Sequence, residues 1–114
     1  MPGRKNGRVM QVVAKQLAES NPNDIQWAIW WAYAAGRTES IDAAKSILTE
    51  ALQSHPNSAS IHYSLGCYES RLQHFKVAKR HLARAIQLDS RLKRIALNDE
   101  DLEPLWLEIT RLHS

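Results

Sequence analysis

A chain of 114 residues with 44% apolar residues, four prolines and four glycines holds one domain's worth of sequence, enough apolar material for a core and no compositional mark of disorder. The formal net charge is a modest +3, and the one cysteine, Cys67, cannot close an internal disulfide, so nothing calls for an oxidising compartment. The longest apolar run, residues 27–35, is about half of the ~20 residues a membrane-spanning helix needs, which predicts no membrane segment and a cytoplasmic setting.

In chain order, residues 1–8 are expected to be a flexible N-terminus. Their basic residues Arg4, Lys5 and Arg8 precede an apolar stretch at 9–14, but Gln11 and Lys15 break it and no cleavage motif follows. Apolar spacing predicts helices over 9–20, 24–36, 40–54, 58–71, 74–88, 91–97 and 101–112. Asn21-Pro22-Asn23-Asp24 and His55-Pro56-Asn57-Ser58 separate helices because proline lacks an amide hydrogen, while the polar residues beside it cap the next helix. The last helix carries an apolar stripe of Leu102, Leu105, Trp106, Ile109 and Leu112, with Glu103, Glu108 and Arg111 outward. No strand-like alternation competes with this all-α reading.

The helices recur with a period of 34. Ala44, Leu48, Ala51 and Leu52 lie 34 residues before Ala78, Leu82, Ala85 and Ile86, as Pro22 lies before Pro56, Arg37 before Arg71, Lys45 before Lys79 and Ile41 before Phe75. Leu65-Gly66, Phe75, Ala78 and Ala85 stand at the spacing of a tetratricopeptide repeat, with His62, Glu69 and Leu82 replacing its Trp, Tyr and second-helix aromatic residue. The preceding unit carries Trp31-Ala32 in place of Leu-Gly and matches through Ala44, Leu48, Ala51 and Pro56. The chain thus resembles the tetratricopeptide-repeat family. The resemblance implies a right-handed α-solenoid of antiparallel helix pairs, about six or seven helices in one domain. Its expected parts are a half-repeat at 9–22, repeats at 25–58 and 59–92, and a capping segment at 93–114.

Proteins of this family bind a peptide or partner helix in a concave groove lined by the first helix of each repeat. Carried over, that groove comprises Gln26, Ile29, Trp30, Tyr33 and Arg37 in one row and Ser60, Tyr63, Ser64, Cys67, Ser70 and Arg71 in the next. Trp27 and Trp31 are expected in the core. Three aromatics, an isoleucine and two arginines favour an apolar ligand with acidic flanks. The Lys, Asn and Arg clamp by which some family members hold a chaperone's C-terminal carboxylate is missing from these rows. The implied function is a protein-binding scaffold with no catalysis.

Two alternatives are legible. Residues 71–94 hold eight Lys or Arg against Asp89, whereas 99–108 hold five acids and no base. Lys76, Arg80 and Arg84, extended by Arg91, Lys93 and Arg94, form a basic ridge able to meet phosphates or an acidic protein, although it lacks interleaved aromatics. Val9, Val12, Val13 and Leu17 leave an apolar face on the first helix through which two copies could form a homodimer.

No cofactor or metal site is expected. His74 and His81 are seven residues apart, too far for one ion, and His55, His62 and His113 have no ligand spacing. The cluster Asp99, Glu100, Asp101 and Glu103 lacks the glycine turn of a calcium loop, and Cys67 has no basic neighbour to make it a nucleophile. The glycines Gly3, Gly7, Gly36 and Gly66 form no phosphate loop.

Overall fold

A computed structural model describes residues 2–112, and the side chains from Arg8 onward; Met1, His113 and the side chains of Arg4 and Lys5 lie outside the described residues. Seven α-helices follow one another: α1 (Pro2–Ser20), α2 (Ile25–Thr38), α3 (Ile41–Ser54), α4 (Ala59–Arg71), α5 (Phe75–Leu88), α6 (Leu92–Ala96) and α7 (Trp106–Thr110). A 3₁₀ turn, Glu100–Leu105, precedes α7, and no strand occurs among the described residues. None of the helices is long and apolar enough to cross a membrane. Packing divides the chain, expected to be one domain, into two compact units, Met1–His55 and Pro56–Ser114.

The expected helix starts at Asp24, Ser40 and Ser58 are the caps themselves. Asp24 accepts from the Gln26 amide at 3.0 Å, Ser40 from Ala43 at 3.0 Å and Ser58 from Ile61 at 3.2 Å. Each satisfies an amide that the first turn leaves unpaired. The α4–α5 turn needs another device. Gln73 takes the left-handed conformation at φ 64°, while Gln73 N donates to Ser70 O and His74 N to Glu69 O at 2.9 Å. This is a Schellman ending with glutamine in the place glycine usually holds.

Two expectations fail at the ends of the chain. α1 starts at Pro2 rather than Val9, so 2–8 are helical, and Pro2 suits a first turn in which its missing amide hydrogen costs nothing. The single C-terminal helix expected over 101–112 is broken into a 3₁₀ turn and the five-residue α7, because Pro104 can neither donate nor tolerate a carbonyl one turn behind it.

In the first unit α2 packs against both α1 and α3. Among the described residues its buried apolar side chains are small, Ala14, Ala32, Ala34, Ala35 and Ala44, apart from Leu48. Thr38 Oγ1 donates to Gln11 Oε1 at 2.6 Å and Gln11 Nε2 donates to Glu39 at 3.1 Å, tying α1 to the end of α2. Trp27 and Trp31, expected in the core, are only half-buried, since a floor of alanines cannot enclose an indole.

The second unit packs α4 on α5 and closes over both with α6, the 3₁₀ turn and α7. Its core joins Ala78, Leu82 and Ile86 to Ala96, Leu102, Leu105 and Ile109. At Gly66 the constraint is size: a Cβ there would stand 2.7 Å from the Leu82 side chain. That close approach joins α4 to α5.

Candidate functional site

The first row expected to line a groove lies along one stripe of α2, where residues three and four apart share a face. Gln26, Trp30, Tyr33 and Arg37 are exposed and Ile29 is half-buried. Trp30 and Tyr33 keep 50% and 48% of their surface in solvent, so neither is core. Arg37 Nη1 donates to Tyr33 Oη at 3.0 Å and Arg37 Cζ lies 5.7 Å from the ring centre, which orients the phenol while leaving the guanidinium at the surface.

Trp30 also belongs to a second surface. With Trp27 it forms one wall of a groove of about 390 Å³ whose other wall is α1, through Val9, Met10, Val13 and Leu17, and Ala14 closes the base. Val9, at 62%, and Val13, at 48%, remain exposed. No polar or charged residue lines this groove. The spacing of valines along α1 marked this face for self-association; that α1 and the Trp30 face of α2 share one groove becomes visible only when the helices pack.

The second row does not form an open counterpart. Tyr63 Oη donates to Asp99 Oδ2 at 2.9 Å, Cys67 Sγ contacts the same oxygen at 3.7 Å, and Ser70 Oγ donates to the Asp101 carbonyl at 2.8 Å. The segment entering the 3₁₀ turn therefore engages Tyr63, Cys67 and Ser70: Ser70 is buried, Tyr63, Ser64 and Cys67 are half-buried, and Ser60 and Arg71 are exposed. In departure from the expected open groove, the three engaged residues are tied to the segment that closes the unit. Burial first, then the neighbouring thiol and carboxylate, pushes the Tyr63 phenol above its ordinary value. Burial and the Asp99 charge do the same to the Cys67 thiol, which stays protonated and poorly nucleophilic.

The basic ridge is partly engaged as well. Arg84 donates to Gln87 at 2.9 Å and Asn57 at 2.8 Å, and Lys93 donates to the Leu112 carbonyl at 2.7 Å. Arg91 grips both carboxylate oxygens of Asp89 at 2.9 Å, which lowers the Asp89 pKa and raises that of Arg91. Lys76, Arg80 and Arg94 are exposed. The ridge is thus a set of local ties with three open cations rather than a continuous track. The acid Asp99 turns to α4 and not to these bases.

Two polar pairs in the second unit escaped the sequence. His62 Nδ1 and His81 Nδ1 lie 3.2 Å apart, and His62 Nε2 lies 2.9 Å from the Pro56 carbonyl. Glu69 is buried and meets His74 Nδ1 at 2.9 Å. No group of three or more His, Cys, Asp or Glu is placed to hold a metal ion among the described residues. No family model, curated protein or solved structure matches the chain.

Proposed function

We propose that the chain is a protein-interaction module of the tetratricopeptide-repeat type, working without catalysis, and that its contact surface is the apolar face of the first unit. The observation that carries this reading is the groove between α1 and α2, where Val9, Met10, Val13 and Trp30 are exposed around a lining without a polar side chain. Contiguous exposed apolar surface is costly in water and is characteristic of protein contact sites. Trp30 is the natural anchor, since a partly buried indole offers a large rigid area at small entropic cost. Beside it, Tyr33 and Arg37 extend the same stripe with a hydroxyl and a cation. The matching partner is an apolar segment with an acidic residue near Arg37.

The test compares wild type with a Trp30→Ala, Tyr33→Ala double variant, first in thermal unfolding and then in partner recovery at low and high salt. An unchanged melting temperature with partners lost at both salt levels supports the reading. Retained partners that are released only by salt transfer the function to Lys76, Arg80 and Arg94.

A second reading, self-association through α1, rests on Val9 and Val12, which are 62% and 58% exposed. Sedimentation of wild type and Val12→Lys separates the two: a dimer lost in the variant favours self-association, and a monomer in both leaves the groove to another protein.

A further inference from the structure

The 34-residue frame lets each unit serve as a ruler for the other. In the second unit position 62 on α4 and position 81 on α5 are both histidine, and their rings fill the space between the helices, with centres 5.4 Å apart. The same two positions in the first unit, 34 residues earlier, are Ala28 on α2 and Ile47 on α3. A methyl group stands where a ring stands in the other copy. The space is left open: Ala28, Trp31, Ile47 and Ala51 line a pocket of about 430 Å³, closed on a further side by the end of α1.

Three carboxylates, Glu19, Asp24 and Glu50, border this apolar floor. Asp24 is used as the α2 cap, and Glu19 lies 4.0 Å from Lys15, whose ammonium sits 5.8 Å from the Trp31 ring centre. Glu50 is exposed and makes no ion pair among the described residues. His55 also lines the pocket but is held by the Pro22 carbonyl at 3.0 Å. The rim is therefore net acidic. Trp31 contributes one more irregularity, because its Nε1 is buried with no acceptor among the described residues. That nitrogen is closed to solvent, so a group entering the pocket meets the Trp31 ring rather than its N–H.

We propose that this pocket receives an aromatic side chain of a partner protein flanked by lysine or arginine. The ring occupies the space that His62 and His81 fill in the other unit, and the flanking base pairs with Glu50 and Glu19. None of the pocket's residues lines the α1–α2 groove, so this is a second contact site of opposite preference, basic flanks here against acidic flanks there.

Two capped tripeptides, acetyl-Lys-Trp-Lys-amide and acetyl-Glu-Trp-Glu-amide, are titrated into the full chain while ¹H–¹⁵N spectra follow the Trp31 indole and the Ala28 and Ala51 amides. The basic peptide should shift these signals saturably and bind about tenfold more tightly than the acidic one, the ratio that ~1.4 kcal/mol of charge complementarity produces. Ala28→Trp, which fills the pocket, should abolish that binding, and Glu50→Lys, a surface change with no folding role, should weaken it severalfold. Trp30→Ala should leave it intact. Equal affinities for the two peptides, no saturable shift at Trp31, or undiminished binding in Glu50→Lys would overturn the proposal. So would loss of binding in Trp30→Ala, which would place the peptide in the α1–α2 groove and leave that reading standing alone.

Discussion

The two units share a repeat length and differ in how they finish their cores. The first buries mostly alanines and leaves Trp30, Tyr33 and the α1 valines in solvent, whereas the second buries Leu102, Leu105 and Ile109 of its own C-terminal segment against α4 and α5. The corresponding rows on α2 and α4 are therefore not equivalent. One still faces solvent, and the other has the Asp99 carboxylate and the Asp101 carbonyl against Tyr63, Cys67 and Ser70. A shared helical frame does not confer a shared binding surface; what decides is whether a later segment of the chain covers it.

The contrast is broken most forcefully at Leu102. This side chain is 0% exposed, and Leu102→Ala should cost about 2–5 kcal/mol in urea denaturation through the lost apolar contact and the cavity left behind. A change below about 1 kcal/mol would mean that the C-terminal segment rests loosely on the second unit. Gly66→Ala comes next. With Leu82 2.7 Å from the added methyl, about 1–3 kcal/mol is expected, and the Leu82 methyl resonances should move.

The covered row sharpens the comparison through pH. Tyr63 and Cys67 have pKa values raised above their unfolded ones, so the folded state holds protons that the unfolded chain releases. Their contribution to stability is fully present below about pH 8.5, the ordinary thiol value, and is lost as pH rises toward the raised folded values. Denaturation midpoints should fall on the alkaline side, and Cys67→Ser should delay the fall to near pH 10, where the unfolded tyrosine begins to ionise. An alkaline limb unchanged in Cys67→Ser would show that the thiol plays no part.

Smaller effects are expected at Gln73 and Trp30. Gln73→Gly should stabilise by up to about 1 kcal/mol, since the left-handed φ of 64° strains glutamine and not glycine. Trp30→Ala, at a half-exposed position, should shift stability by no more than about 0.5 kcal/mol. A larger loss at Trp30 would make it a packing residue and remove the anchor of the proposed groove.

Helix order was legible because its signals are local: Asp24, Ser40 and Ser58 each announce a cap within four residues of the amide they satisfy. The exposure of Trp30 and Tyr33 was not fixed by their places on the α2 stripe, since packing beneath α1 would have buried the same face. The fate of Tyr63, Cys67 and Ser70 was not legible, because it depends on a segment about thirty residues later returning to α4. Pro104 was a readable signal outweighed by an attractive apolar stripe. The pocket beside Ala28 lay in the repeat register itself, as alanine against His62 and isoleucine against His81. It becomes apparent only when the two copies are compared for side-chain volume rather than for similarity.

The histidine pair has a directional consequence. A carbonyl can only accept, so the bond to Pro56 makes His62 Nε2 the donor; in the neutral ring His62 Nδ1 must then accept, and His81 Nδ1 must supply the hydrogen. The loop before α4, α4 itself and α5 are thereby joined by a proton chain that runs one way. The tie between α4 and α5 is accordingly directional: His81 gives and His62 receives, and exchanging the two roles would leave the Pro56 carbonyl without its donor.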